Sequence, residues 1–546
     1  RSWLPFSRHL VAPQEKRELS SVSQCQTFGS MVVDKPASAG HSDASNGKTE
    51  DGLKVTKPAR PKTKSDASTD ACHVSEATSD HSHERELESP TPAQDDGHPA
   101  GVCGPILTID DVPQRIRDTE YAVRGAVVAR SWELAKQLRD NPGSLPFSEI
   151  IPANIGNPQA VGQKPIAFNR QVLACVTNPH LMDQPGLFPA DVVSRARSYL
   201  KSFPSFGAYS HSKGIPQLRE DIARWFTKRD GILTDPEHIM LTDGASPAVR
   251  TVLELLLESS RDGVMIPIPH YPLYSATITR LGGRAIGYYL KEEDQWGLDM
   301  GELQGALDKA RQAGGRVRAL VVINPGNPTG GILTRQQMVD VVEFCEREKL
   351  VLLADEVYQD NVYLDEKPFV PFRRVLADLS SPLELFTFHS SSKGVTGECG
   401  VRGGLLHAHN VDEAVIEQLY KLFSISLCAN TLGQAMIASI LTPPEPGSPS
   451  YDQYTRERRA IFSALQRKAI LVHRKLNEMK GVSCQRVEGA MYAFPRIELP
   501  PRAIEAARQA GQQPDMFYCL QLLEHTGVIV VPGSGFGQRP GSLHYR

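Results

Sequence analysis

Lys393 stands in the string Ser390-Ser391-Ser392-Lys393-Gly394, and Arg402 follows nine residues later. A lysine amine set among hydroxyls and a glycine can attack a carbonyl to form a Schiff base. An arginine close behind it can clamp an anion through two parallel hydrogen bonds. For this string alone, a solvated lysine in a polar loop is the equal alternative. Four other groups change the balance. Asp355-Glu356-Val357-Tyr358 sets a carboxylate at the end of an apolar run, where burial is costly unless a cation or donor meets it. Asn324-Pro325-Gly326-Asn327-Pro328-Thr329-Gly330 is a sharp turn in which Asn327 can donate to a ligand oxygen. Pro269-His270-Tyr271-Pro272 offers Tyr271 for stacking on a planar ring, and a core tyrosine is the plain alternative. Thr242-Asp243-Gly244-Ala245-Ser246-Pro247 reads as a helix start with Ser246 as N-cap and Pro247 as the first helical residue. Its amides form an anion site, although a well-capped helix with no ligand reads the same way.

These groups need a scaffold that brings strand ends together. The runs His238–Leu241, Val264–Ile268, Ala319–Ile323, Leu350–Ala354 and Leu383–Phe388 have strand length and precede the five groups in turn. Helical stretches such as Pro247–Glu258 and Arg335–Lys349 lie between several of them. Alternating strands and helices predict a mostly parallel α/β sheet, and ligands of such sheets bind beyond the carboxyl ends of the strands. After about residue 443 a charged amphipathic helix, Ser450–Lys480, leads into short strand-like pieces at Met491–Phe494 and Val528–Val531. This segment predicts a second, smaller α/β domain. A metal-binding Asp355–Glu356 pair competes with the cofactor reading, but no histidine is placed to complete it, so no metal is expected.

Together the five strand-end groups supply what pyridoxal 5'-phosphate (PLP) requires: an amine, a carboxylate for the ring nitrogen, a stacking ring and a phosphate clamp. Asn-Pro-x-Asn-Pro-Thr-Gly, Asp-x-x-Tyr and Ser-x-Ser-Lys occur here in that order, and with them the chain resembles the fold-type I PLP-dependent aminotransferases. Within that class it is most similar to the alanine aminotransferase group. The similar strings are Asn154-Ile155-Gly156-Asn157-Pro158-Gln159, Gly207-Ala208-Tyr209-Ser210-His211-Ser212, Gly397 to Gly404 and Glu488-Gly489-Ala490-Met491-Tyr492. The resemblance spans about Gly104 to Arg546 and leaves out the first hundred residues.

The resemblance implies a role for each matching residue. Lys393 would bind PLP as a Schiff base, and Asp355 would keep the pyridine nitrogen protonated. Tyr358 and Asn327 would hydrogen-bond the phenolic oxygen, and Tyr271 would stack on the ring. Ala245, Ser246, Ser390 and Arg402 would hold the phosphate, with Tyr209 from a second subunit of a homodimer. Gly156 and Arg546 would meet the α-carboxylate of an amino acid or 2-keto acid substrate. The implied reaction is L-alanine plus 2-oxoglutarate to pyruvate plus L-glutamate, in two half-reactions. A glutamate:glyoxylate aminotransferase is the alternative on the same motifs, since pocket shape alone separates the two. A transaminase-like regulatory module is a third reading, but the first hundred residues show no helix-turn-helix periodicity.

Composition bounds the rest. The chain has 546 residues with a net charge of −3, which points away from nucleic acid as a partner. Apolar runs are far shorter than the ~20 residues of a membrane helix, so no membrane span is expected. Nine cysteines without a CxxC pair suggest thiols in a reducing compartment. Residues 1–100 are read as a disordered extension, Ser/Thr/Asp/Lys/Pro-rich from Asp34 onward. Its Arg- and Ser-rich start resembles a transit peptide, although Glu15 and Glu18 run against that, and points to the mitochondrial matrix, with cytoplasm or peroxisome as alternatives. Asn46-Gly47-Lys48-Thr49 lacks the earlier glycine and the strand of a phosphate loop. The expected divisions are 101–190 for an N-terminal arm and part of the small domain, 191–442 for the large PLP domain and 443–546 for the small domain. The last of these is expected to be truncated, because the family pattern continues beyond the position of Arg546.

Overall fold

Seven short strands pair edge to edge to make the central sheet. They are β1 (Ile239–Asp243), β2 (Asp262–Ile268), β3 (Arg284–Tyr289), β4 (Arg316–Ile323), β5 (Val351–Asp355), β6 (Leu385–Ser390) and β7 (Gly403–His409). This computed structural model describes residues 107–546, so the expected leader, the disordered extension and the Asn46–Thr49 string lie outside the described residues. The spatial order is β1-β7-β6-β5-β4-β2-β3. Every neighbouring pair is parallel except those made by β7, which runs antiparallel to both β1 and β6. The fold is therefore α/β with a mostly parallel sheet.

The central strands read as continuous apolar runs because both faces are covered. Leu353 packs with Val321 and Phe386 on one face, while Leu352 and Ala354 pack with Leu320 and Val322 on the other. The five strands expected from sequence are β1, β2, β4, β5 and β6. β3 and β7 were not expected, and the reasons are physical. β3 is an edge strand, Arg-Ala-Ile-Gly-Tyr-Tyr, with exposed positions that blur its pattern. β7 begins Gly-Gly and carries two histidines, so it looks like loop although all but its last residue are buried.

The helix after β1 also differs from expectation. It spans Ala245–Leu256, and its N-cap is Gly244 at φ +80° rather than Ser246, whose side chain makes no cap bond. A side chain at position 244 would collide with the Arg402 guanidinium, so glycine is required there on two counts.

Segments far apart in sequence share a second core. Helix Ala126–Asp140 contributes Val127, Val128 and Leu134, which pack with Tyr518 and Leu522 of helix Pro514–Thr526. Ile151–Pro152 pairs in parallel with Val528–Ile529. Met491–Phe494 is irregular, and the strand nearby is Arg496–Ile497, paired with Val482–Ser483. The expected long helix is present as Tyr451–Asn477. No helix among the described residues is long and apolar enough to cross a membrane.

Candidate active site

Parallel pairing puts the carboxyl ends of β4, β5 and β6 side by side, since Ile323 pairs with Asp355 and Asp355 with Phe388. Asn327, Tyr358 and Lys393 leave this edge within a few residues of those ends. β7 returns antiparallel, so its first residue, Gly403, pairs with Asp243 at the end of β1. That reversal carries Arg402 back to the edge that Lys393 left, and explains a spacing of nine residues between them. A cleft of about 780 Å³ opens here, lined by Gly156, Ala245, Ser246, Tyr271, Asn327, Asp355, Tyr358, Ser390, Lys393, Arg402 and Arg546 among others.

The Lys393 Nζ donates to the Gly156 carbonyl at 2.7 Å and to the Tyr492 hydroxyl at 3.4 Å. The loop behind it is tied down, for Gly394 N donates to Asn361 Oδ1 and Gly394 O accepts from Asn361 Nδ2. Asp355 is 4% exposed and is met by neutral donors only: the Tyr274 hydroxyl at 2.9 Å and the Val357 amide at 3.4 Å. Burial pushes its carboxyl up to about 6, against the hydrogen bonds and the Lys393 charge, which pull it down. Arg402 donates to the Asp243 carbonyl, the Ser392 hydroxyl and the Cys399 carbonyl, and so faces the start of helix Ala245–Leu256. Ser390 spends its hydroxyl on the Gly403 carbonyl at 3.2 Å.

Arg546 is fixed from several sides. Its backbone exchanges hydrogen bonds with Val531, and its guanidinium donates to Asn327 Oδ1 at 2.9 Å and to the Asn154 carbonyl at 2.5 Å. The Tyr492 and Phe536 rings lie 4.2 and 4.6 Å from the guanidinium carbon. Asn327 also donates to the Tyr358 hydroxyl at 3.4 Å, so it joins Tyr358 to Arg546. Tyr271 lines the cleft and shares a hydrogen bond of 2.8 Å with Tyr121. Tyr209 alone stands apart, 78% exposed and outside the cleft of its own chain.

Three groups at the site were given no role from the sequence, although Asn154 and Tyr492 stand in two of the strings that carry the resemblance. Tyr274 follows Tyr271 by one helical turn, a spacing that puts both on one face and could have marked it. Tyr492 and Asn154 lie in irregular segments, and only tertiary packing brings Tyr492 to the cleft and the Asn154 carbonyl to Arg546.

The charges show what the cleft is built to receive. Among the described residues, no carboxylate forms an ion pair with Lys393, Arg402 or Arg546, and no cation pairs with Asp355. The buried Arg546 Nε has no hydrogen-bond partner among the described residues. A protonated heterocycle opposite Asp355, a phosphate at Arg402 and the helix start, and a carboxylate at Arg546 would satisfy each of these groups. The residues present therefore fit PLP and an amino acid.

The comparisons with known proteins agree with this geometry. Residues 175–544 match the family model described as "Aminotransferase class I and II". Alanine aminotransferase 1 of Homo sapiens is 50% identical over 456 residues, which is 82% of this chain and 91% of that protein. Glutamate–glyoxylate aminotransferase 1 of Arabidopsis thaliana is 46% identical over 448 residues, 81% of this chain and 91% of that one. A solved structure of alanine aminotransferase from Pyrococcus furiosus superposes with a TM-score of 0.63 at 24% identity, covering 80% of this chain and 93% of the other, a likeness of fold.

Proposed function

The chain belongs to the class I and II aminotransferases, PLP-dependent enzymes, and from that premise we propose that it transfers the amino group of L-alanine to 2-oxoglutarate. The observation that carries this reading is the Lys393 amine at the sheet edge, in one cleft with Asp355, which pairs with no cation among the described residues, and with Arg402 and Arg546, which pair with no acid among them. Bound PLP supplies an electron sink for the pair left when the substrate Cα–H bond breaks. Lys393 would be its attachment point, and the freed amine of Lys393 would carry that proton. Asp355, once ionised, would meet the ring nitrogen and stabilise the charge on which the step depends. Arg402 and the first amides of helix Ala245–Leu256 hold the phosphate, with Ser246 and Ser390 beside them. Tyr358 and Asn327 would hydrogen-bond the ring oxygen, and Tyr271 would stack on the ring. Arg546, held by Asn327 and Asn154, receives the substrate carboxylate in both half-reactions, with Gly156 lining the same corner. The alanine preference is supported by the name of the 50% identical human relative. The relative named for glutamate and glyoxylate supports a second reading on the same residues. A paired-substrate assay separates them: alanine or glutamate as donor, 2-oxoglutarate or glyoxylate as acceptor. Alanine with 2-oxoglutarate should give the highest kcat/KM. A clear preference for glutamate with glyoxylate would overturn the assignment.

We propose further that the working unit is a homodimer in which Tyr209 completes the neighbouring site. Its exposure and its absence from its own cleft support this. Tyr209→Phe should weaken PLP retention without lowering Tm, and an active PLP-saturated monomer in sedimentation would contradict it. A mitochondrial matrix location is proposed from the Arg- and Ser-rich start and from relatives named mitochondrial. Fractionation of cells expressing the tagged chain tests it, and a wholly cytosolic signal would refute it.

A further inference from the structure

We infer that Tyr492 is a catalytic residue for the proton transfer, its phenol oxygen accepting a hydrogen bond from Lys393 as that amine becomes an ammonium. This rests on the transamination reading above. The oxygen is placed as an acceptor twice over: the Lys393 Nζ donates to it at 3.4 Å and the Tyr358 hydroxyl at 3.1 Å. An oxygen that accepts from two donors is suited to a growing positive charge beside it. Tyr358 in turn accepts from Asn327 Nδ2 at 3.4 Å, so the donors run in one direction, from Asn327 through Tyr358 to Tyr492. Burial raises the Tyr492 phenol, but the charges of Lys393 and Arg546 and the bonds from Tyr358 and Lys393 outweigh it and leave the phenol below its ordinary range. Tyr358, by contrast, is pushed well above that range by burial and by Tyr492, so Tyr358 keeps its proton and acts as the donor of the pair.

The step balances. When the substrate Cα–H bond breaks, its proton would form an N–H bond on Lys393, and bound PLP would take up the electron pair. The new ammonium then has two acceptors in place, the Tyr492 oxygen and the Gly156 carbonyl at 2.7 Å. Position 156 must be glycine for this: a β-carbon there would overlap the Tyr492 hydroxyl and lie 3.1 Å from Nζ. The same tyrosine ring faces the Arg546 guanidinium at 4.2 Å, so the proton carrier and the carboxylate clamp are packed on one side chain.

Tyr492→Phe removes the oxygen and keeps the ring. In the PLP-saturated enzyme, kcat for alanine should fall roughly 10- to 100-fold, the range expected for losing a bond to a charged group, with KM changed by less than about twofold. The isotope effect with α-deuterated alanine should rise as proton transfer becomes more rate-limiting. In the cofactor-free protein, the ultraviolet titration of tyrosinate should lose its lowest-pH component. The groups that set that component are Lys393, Arg546 and Tyr358, and Tyr271 lies close enough to feel the phenol in turn. Unchanged kcat and isotope effect, or a titration that keeps its lowest component, would overturn the assignment. Absence of alanine turnover in the wild type would instead defeat the transamination reading, and the titration would still decide the place of Tyr492.

Discussion

Asp355 and Glu356 are consecutive, both buried, and both held above the ordinary carboxylate range by burial, to about 6 and about 7. Their surroundings differ. Glu356 accepts from the Phe372 amide at 2.9 Å and pairs with Arg229 at 3.2 Å. Arg229 also pairs with Asp230, and Asp230 with the buried Arg373 at 3.2 Å. That network answers charge with charge inside the protein. Asp355, a residue away, meets only a phenol and an amide, and the cations of its cleft have no acid among the described residues. A buried charge with its partner in the chain belongs to the fold, while one without a partner is kept for a ligand.

Substitutions on the two sides should therefore fail differently. Lys393→Ala should abolish transamination and the visible absorbance of bound cofactor while the protein stays folded, and full turnover in that variant would end the aminotransferase account. Asp355→Asn should lower kcat roughly a thousandfold, ~4 kcal/mol of barrier, with cofactor still bound. A loss below about tenfold would move Asp355 to the structural side of the comparison. Asp230→Ala should do the reverse, leaving kcat close to wild type but removing the carboxylate paired with the buried Arg373 and one of the two paired with Arg229, at a cost of about 3–5 kcal/mol in denaturant unfolding. A small stability loss would show that water or other donors take over from Asp230.

What sequence reasoning reached follows the same division. Lys393, Asp355, Asn327 and Arg402 were legible because they sit in short polar strings directly after apolar runs, where topology alone decides their meeting. The five strands ahead of those groups were legible from continuous apolar runs. β7 was not, since Gly403-Gly404 and His407 disguise a strand whose burial is set by its neighbours. Ser246 was read as a cap because serine before proline is a common helix start, yet the close approach of Arg402 demands glycine at 244. The Arg229–Asp230–Arg373–Glu356 network was invisible, because no local spacing joins residues 127 or more positions apart.

The smallest effect is a pH dependence that should differ between cofactor-free and loaded protein. Both carboxyls have folded values raised above their ordinary 3.8 and 4.5, so the unfolded chain ionises first as pH rises. Stability then falls across about pH 4 to 6 for Asp355 and about 4.5 to 7 for Glu356, each by about 3 kcal/mol. Bound PLP would set its ring cation at Asp355 and leave Glu356 as it is. Loading should therefore flatten the lower window and leave the upper one, as read by urea unfolding at a series of pH values. Equal flattening of both windows would contradict the distinction between the two residues.

The half-reaction tests the central claim most directly. Purified PLP-loaded protein is mixed with L-alanine and no acceptor, and both pyruvate and the visible cofactor band are followed. The account predicts one equivalent of pyruvate per bound cofactor, loss of the band without release of ammonia, and recovery of the band on adding 2-oxoglutarate. An unchanged band with no pyruvate, or continuous release of ammonia, would contradict it.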